Sequence, residues 1–258
     1  MGRALELITG LATAPSTTFT AATVLTGNSL TVRDSRRPTK MRAMWSTRQA
    51  AGAARITSAL LHDSTIGIQQ GCGIGQVIDI LAVPQEVMPQ DYLGLQLTGS
   101  ATAGDIEHTS YLLEYDDLPG ITGRFITPAE LMRRGVNLMA NTITISTGTT
   151  GQYTGQVAVN SAQDAFKANT DYALIGYDVA GADCHAIRYV GPDWGNIGIG
   201  VPGKQNLGGL GVHTAKWFIE LGAIPVMNAA NKALTLIDAV VNENGGDPIV
   251  TTHWVELR

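Results

Sequence analysis

Residues 193–211 read DWGNIGIGVPGKQNLGGLG, and this glycine-rich run decides how the chain is interpreted. A phosphate-binding loop needs a strand before it and a helix after it, so that backbone N–H groups and the helix N-terminus converge on the anion. The following residues, GVHTAKWFIELGAIPV, place Trp217, Ile219 and Leu221 in alternation, which predicts a strand and not a helix. No G-x-x-x-x-G-K-[ST] sequence is present. The run therefore predicts a strand followed by a surface loop.

The same pattern occurs earlier in the chain. Residues 63–75 read DSTIGIQQGCGIG, so Ile66-Gly67-Ile68 matches Ile197-Gly198-Ile199 at an offset of 131 residues. In both places an aspartate precedes the match and glycine-rich residues follow it. A fixed offset of this kind indicates an internal repeat.

Two further blocks repeat in the same order. Residues 80–98 align with 221–239, which places Pro84 on Pro225. Residues 105–115 align with 247–257. The spacing between the blocks grows only where a loop can absorb it. The chain is therefore predicted to contain two similar halves.

Composition favours many short strands. The chain has 258 residues with 30 glycines, and only 15% of its residues are charged, against roughly 25% in soluble domains. The low charge content fits either a surface that largely meets other protein or hydroxyl-rich exposed β-faces. A net charge of −5 argues against general nucleic-acid binding. Two isolated cysteines, Cys72 and Cys184, make neither a disulfide framework nor a zinc ligand set.

No signal peptide or membrane span is predicted. The N-terminus lacks an apolar core of signal-peptide length, and no stretch approaches 18 continuous apolar residues. We expect a soluble protein made in a cytoplasm.

The predicted strands number about eight in each half. Eight strands in two sheets is the count of a jelly roll. The predicted fold is all-β, with two tandem eight-stranded jelly rolls (a double jelly roll) at residues 1–123 and 139–258. Besides the matched blocks, the predicted strands cover residues 5–8, 19–25, 29–33, 41–47 and 55–61, then 142–146, 156–159, 171–178 and 184–190.

A short helix is predicted in the connector, residues 124–138. Thr127 is a candidate N-cap, Pro128 takes the first helical position, and Glu130 completes a capping box. Gly135 is placed to end the helix in a left-handed conformation. The alternative is a surface helix within one continuous domain.

No catalytic or metal motif stands out. No two of the five histidines are three or four residues apart, and no G-x-S-x-G is present. Cys184-His185 could pair as nucleophile and base, but neighbours on a strand point to opposite faces. We therefore expect no enzyme activity, no cofactor and no metal.

The charges fall into two blocks. Residues 33–55 carry seven basic side chains and one acid, whereas residues 56–123 carry nine acids and no Lys or Arg. Such blocks pair within the chain, pair between copies, or face the phosphates of a lipid or a genome. The candidate subunit-interface residues are Arg33, Arg36, Arg37, Lys40, Arg42, Glu114, Asp116 and Asp117.

The duplicated blocks are Ile66-Gly67-Ile68 with Ile197-Gly198-Ile199, and Pro84 with Pro225. On these blocks the chain resembles the double jelly-roll major capsid proteins of tailless icosahedral viruses, including membrane-containing bacteriophages. The resemblance implies a homotrimer in which six jelly rolls form a pseudo-hexagonal tile of the virion shell. Its implied partners are copies of itself, other virion proteins, and an internal membrane or genome facing the basic block, without sequence-specific nucleic-acid binding. At 258 residues the chain leaves little room for long outer loops.

Two other classes of function remain open. A carbohydrate-binding or fibre-type β-sandwich would present Trp194, Trp217 or Trp254 to sugar rings. A cupin-like β-barrel enzyme would need a clustered histidine and carboxylate set, which the spacing does not supply.

Overall fold

The computed structural model describes residues 2–61, 63–146, 148–181, 183–204, 213–214, 216–241 and 246–258. Residues 205–211 of the predicted loop at 200–211 lie outside these ranges. Within the described ranges the chain is all-β, with antiparallel sheets and two short α-helices.

The N-terminal half forms two facing sheets. Its strands are β1 (Ala4–Thr13), β2 (Thr20–Ala21), β3 (Thr23–Val24), β4 (Thr39–Arg48), β5 (Gly52–Thr57), β6 (Ile68–Cys72), β7 (Gly75–Val87), β8 (Gly94–Leu97) and β9 (Ile106–Tyr115). One sheet has the order β3-β1-β9-β4-β7 and the other β2-β8-β5-β6. In the usual lettering of jelly-roll strands, β1 and β2 are B and C, and β4 to β9 are D to I. The two sheets are therefore the BIDG and CHEF sheets of a jelly roll, and β3 is an extra strand at one edge of the first sheet.

The connector follows as β10 (Phe125–Ile126) and α1 (Pro128–Arg134). The C-terminal half contains β11 (Gly135–Thr144), β12 (Val157–Ala158), β13 (Asp171–Gly181), β14 (Cys184–Val190), β15 (Ile199–Lys204), β16 (His213–Thr214), α2 (Trp217–Leu221), β17 (Ile224–Asn228), β18 (Leu236–Val241) and β19 (Pro248–Leu257). Two 3₁₀ turns, Pro192–Trp194 and Ala229–Asn231, flank β15 and β17.

The C-terminal half repeats the same topology. Its sheets have the orders β10-β17-β13-β19-β11, which is GDIB with the connector strand added, and β12-β18-β14-β15, which is CHEF. The predicted double jelly roll is confirmed. We call the two units the N-terminal roll and the C-terminal roll.

The repeated sequence blocks fall on equivalent strands. The Ile-Gly-Ile blocks lead into the F strands β6 and β15, and Pro84 and Pro225 lie in the G strands β7 and β17. The I strands β9 and β19 begin and end at the same offset of 142 residues. The B strands β1 and β11 are both ten residues long, although no sequence match links them.

The two rolls stack face to face. The BIDG sheet of the N-terminal roll lies against the CHEF sheet of the C-terminal roll, with β1 along β15 and β9 beside β14. Leu7, Trp45 and Leu112 of the N-terminal roll belong to the same buried cluster as the C-terminal core. The Leu7 amide also donates to the Gly198 carbonyl over 2.8 Å. A second cluster fills the N-terminal roll.

Several local predictions were wrong. Residues 217–221 form α2, because Trp217, Phe218 and Leu221 bury one helical face and Gly222 ends the helix at a φ of 71°. Residues 29–33 form no strand, and Thr31 makes only an isolated bridge to Tyr92.

Among the described glycines after the Ile-Gly-Ile blocks, Gly71, Gly75, Gly200 and Gly203 lie in strands, and Gly73 lies between β6 and β7. A Cβ at Gly203 would lie 2.2 Å from the Cys184 carbonyl oxygen, so glycine here permits close approach of two strands and does not make a turn.

Gly135 is extended, with a φ of −64°, and not left-handed. The chain passes from α1 directly into β11. A Cβ at Gly135 would lie 2.8 Å from the Leu131 carbonyl oxygen, which explains the glycine by close packing.

Candidate functional site

Three of the predicted interface residues lie on two paired strands: Lys40 and Arg42 on β4, and Glu114 on β9. Lys40 is directly opposite Glu114 in the register of these two strands, and the Lys40 ammonium lies 3.2 Å from Asp116 Oδ2. Arg42 forms an ion pair with Glu114. The basic and acidic blocks therefore neutralise each other here within one chain.

Glu114 is the buried centre of this cluster, with its side chain 3% exposed. Arg3 donates to Oε1 through Nε over 2.8 Å and through Nη2 over 2.5 Å, and Arg42 donates to Oε2. Arg42 also donates to the Leu221 carbonyl of the C-terminal roll. A buried carboxylate persists only when it is paired, so Glu114 serves to fix β4, the N-terminus and, through Arg42, the second roll.

Arg33 also pairs within the chain. It donates to Glu6 Oε1 over 2.9 Å from Nε and 2.6 Å from Nη2, and the Tyr115 hydroxyl donates to Glu6 Oε2 over 2.7 Å. The hydrogen bond to Glu6 raises the pKa of Arg33, and burial raises the pKa of Tyr115.

Arg36 and Arg37 lie on the exposed loop between β3 and β4. The Arg36 amide donates to the Asp117 carbonyl over 3.1 Å, and Ser35 Oγ donates to the Arg37 carbonyl over 2.6 Å. Neither guanidinium forms an ion pair with a described carboxylate. Among the basic residues predicted for the subunit interface, these two arginines therefore carry charge that can contact another molecule.

The connector helix has the predicted capping box. Thr127 Oγ1 accepts from the Glu130 amide over 3.2 Å, and Glu130 Oε2 accepts from the Thr127 amide over 3.0 Å. Pro128 occupies the first turn, as predicted. The predicted connector region also contains β10 and the start of β11.

The tryptophans proposed for sugar binding are core residues. Trp194, Trp217 and Trp254 are each at most 2% exposed. The Trp194 indole donates to the Val226 carbonyl, and Trp254 stacks edge-on against Phe166. In these positions their rings are not available to sugars, so they do not support the alternative carbohydrate-binding function.

A cleft of about 720 Å³ with both polar and apolar lining residues opens between the rolls. Arg188 lies on one wall with its guanidinium 3.5 Å from the Tyr153 ring centroid, and it pairs with Asp238 at 3.0 and 2.7 Å. The charge of Arg188 is thus neutralised by Asp238 within the cleft. Arg188 and Asp238 lie on paired strands far apart in sequence, so no local spacing predicts the pair.

Sequence spacing also missed a histidine pair. His108 and His185 are 77 positions apart in the chain, yet their rings stack with centroids 5.1 Å apart. Cys184 is buried, and His185 bonds to Thr47 and Ser110. Both ring nitrogens of His185 are therefore engaged by hydroxyls.

In the part of the chain that the structure describes, no group of three or more His, Cys, Asp or Glu is placed to hold a metal ion. Within the same ranges, no helix has the length and apolar character to cross a membrane.

The topology defines a double jelly-roll protein. No protein-family model matches the sequence, and no curated protein matches it significantly. The PBSX exported protein XepA is similar in structure over 97% of this chain and 86% of its own, with 11% identity and a TM-score of 0.30. A chain from the triple jelly-roll and turret assembly of an archaeal virus covers 100% of this chain and 80% of its own, with 8% identity and a TM-score of 0.24. At these TM-scores neither likeness bears on what this chain does.

Proposed function

We propose that this protein is a structural subunit of a viral capsid, a homotrimer whose six jelly rolls form a pseudo-hexagonal tile of an icosahedral shell. The observation that supports it is the tandem repetition of a complete BIDG and CHEF jelly roll in one chain. Three such chains around a three-fold axis present six similar units, which is the geometry of a hexagonal tile.

A tile subunit must hold its two rolls in one fixed arrangement. The shared apolar cluster, the Leu7–Gly198 hydrogen bond and the Arg42–Leu221 hydrogen bond supply rigid contacts between the rolls. Because interiors are packed as densely as crystals, such a contact resists sliding. This rigidity supports a structural role.

The exterior offers apolar surface for contacts between copies. Met132 on α1 is 84% exposed and Leu138 on β11 is 70% exposed. On the edge strand β7 and just before it, Val83 and Ile74 are similarly exposed. Obligate interfaces bury apolar area of this kind, typically over about 2,000 Å² in total.

The proposed partners are copies of the chain and other virion proteins. Arg36 and Arg37 carry the unpaired charge that contacts a neighbouring copy, with an internal membrane or the genome as the alternative surface for these two side chains. The proposed location is the virion, with synthesis in the host cytoplasm and no enzymatic role.

The test is the mass of the purified protein by light scattering, followed by electron microscopy of the same sample. We expect a species near three times 27.2 kDa, or closed particles. A stable monomer across pH and salt would contradict the proposal and favour a monomeric binding module. A glycan array probed with that monomer would then test the alternative carbohydrate-binding or fibre-type function.

A further inference from the structure

Two histidines meet at the contact between the jelly rolls. His108 lies on β9 of the N-terminal roll and His185 on β14 of the C-terminal roll, and their rings stack with an interplanar angle of 22°. Both side chains are at most 1% exposed. Neither ring is therefore in contact with water while the two rolls remain together.

His185 is held by hydroxyl groups of the N-terminal roll. Its Nδ1 lies 2.8 Å from Thr47 Oγ1 and its Nε2 lies 2.8 Å from Ser110 Oγ. Ser110 in turn bonds to Thr9 over 2.7 Å, and Tyr153 of the C-terminal roll bonds to Thr9 over 3.3 Å. A neutral imidazole has one N–H and one lone pair, and the two hydroxyls match both.

Neither ring nitrogen of His108 has a hydrogen-bond partner among the described residues. Gly151 of the C-terminal roll covers this ring, since a Cβ at that position would lie 3.8 Å from His108 Nε2. An unpartnered imidazole is tolerated in such a site only while it is neutral, because a buried unpaired charge is far more costly than a buried polar group.

The surrounding charges give an imidazolium no partner. Arg48 on β4 and Glu107 on β9 are fully buried, with Nη1 and Oε2 3.9 Å apart. Glu107 is already occupied, since it accepts from the amides of Gln49, Ala50 and Ser100. Other titratable groups nearby are Cys72 on β6, Cys184 on β14 and Tyr153. The strands that hold the two rings also carry Tyr111, Glu114 and Tyr115 on β9, and Arg188 and Tyr189 on β14.

These surroundings favour the neutral form of both rings. Burial, followed by the charge of Arg48, lowers the pKa of His108 to about 4. Burial lowers the pKa of His185 well below its usual value, with further contributions from His108 and Arg48.

We propose that the His108–His185 stack is an acid-sensitive contact that keeps the two jelly rolls together at neutral pH and releases them on acidification. A proton on either ring places a cation against the other ring and near Arg48, and the cation reaches water only if β9 separates from β14. The proposal does not rest on a capsid role, because both rolls belong to one chain.

The test uses tryptophan fluorescence together with far-UV circular dichroism. Trp45 donates to the His185 carbonyl over 3.2 Å and packs edge-on against Trp217, so both indoles report on the contact between the rolls. We expect acrylamide quenching to rise as the pH falls from 7 towards 4, before the strand signal in circular dichroism is lost. Quenching that stays constant until the strand signal collapses would overturn the proposal.

Two variants isolate the histidine pair. His108→Phe keeps an aromatic ring and loses no hydrogen bond, so we expect it to move the rise in quenching to lower pH by on the order of one unit. His253→Asn is the matched control, because His253 pairs with Asp178 away from the contact, and it should behave as wild type. An unchanged profile in His108→Phe would contradict the proposal.

If His108→Phe fails to fold, nitrogen NMR of the imidazole rings in the wild-type protein tests the proposal by measuring their protonation. Protonation of at least one of the two buried rings must then coincide with the rise in quenching. Rings that remain neutral throughout the rise would overturn the proposal.

Discussion

The indole of Trp45 in the N-terminal roll donates to the carbonyl of His185 in the C-terminal roll over 3.2 Å. This bond joins the D strand of one jelly roll to the E strand of the next. The BIDG sheet that carries Trp45 is therefore covered on both faces, by its own CHEF sheet and by that of the second roll.

The close approach of the rolls makes Gly200 intolerant of a side chain. A Cβ there would lie 2.5 Å from three side-chain carbons of Leu7. We expect Gly200→Ala to lower the free energy of unfolding by about 1–3 kcal/mol, the usual cost of overpacking. Urea denaturation measures this change.

The control for that substitution lies in the equivalent strand of the first roll. A Cβ at Gly71 in β6 would have no neighbouring atom within 4 Å. Gly71→Ala should leave the urea midpoint nearly unchanged. Equal losses in both variants would mean that contact between the rolls is not what restricts Gly200.

The buried carboxylate of Glu114 is a second test of this contact. Glu114→Gln removes the negative charge that Arg3 and Arg42 share, and removing one member of a buried ion pair costs about 3–5 kcal/mol. Both arginines are partly exposed, so we expect a loss nearer about 2–3 kcal/mol. Thermal and urea unfolding measure it.

Asp116→Asn provides the matched comparison. Asp116 and Lys40 form an ion pair in which each side chain is about one-third exposed. Removing such a pair should cost less than about 1 kcal/mol. A loss in Asp116→Asn as large as in Glu114→Gln would show that burial does not set the energy of this cluster.

The repeat was visible in the sequence because it falls on strands F to I. The I strands β9 and β19 keep the same length and offset, so a sequence alignment finds them. The C strands β2 and β12 are only two residues long, and their position is set by pairing with β8 and β18. They lie within the strands predicted for residues 19–25 and 156–159, so the sequence located them but overestimated their length.

The stacking of the rolls was not predicted, although β1 contains a signal for it. Seven successive residues from Ala4 to Gly10 are buried, so this strand has no solvent face. A strand buried on both faces lacks the usual apolar–polar alternation, and β1 reads ALELITGLAT. The pairing of His108 with His185 depends on this stacking, which is why histidine spacing alone missed it.

The exposed loop arginines test the proposed assembly. We expect Arg36→Glu combined with Arg37→Glu to block trimer or particle formation while the subunit stays folded, because both charges are unpaired within the described chain. Light scattering and electron microscopy measure assembly, and circular dichroism measures folding. Normal particles from this double variant would remove the interface role of the loop.

A charge reversal elsewhere controls for net charge. Lys216 and Arg258 are also exposed, and Lys216→Glu combined with Arg258→Glu should assemble as wild type. If this double variant blocks assembly to the same degree, the effect follows from net charge and not from the loop.

The buried histidines make stability depend on pH in a defined direction. His108 has an ordinary pKa of 6.5 in the unfolded chain and one of about 4 in the folded protein. The unfolded chain therefore binds the proton first, so stability is complete above pH 6.5 and falls as the pH drops towards 4. The shift in the pKa of His108 alone corresponds to roughly 3 kcal/mol.

Urea unfolding at pH 7 and pH 4.5 measures this dependence. Carboxylates contribute to the change equally in wild type and in His108→Phe, so the difference between the two proteins isolates the imidazole. We expect His108→Phe to lose less stability between these pH values than wild type by on the order of 2–3 kcal/mol, since its ring takes up no proton in the unfolded chain. Equal losses in wild type and His108→Phe would mean that His108 gains its proton in the folded protein as readily as in the unfolded chain, which its burial beneath Gly151 opposes.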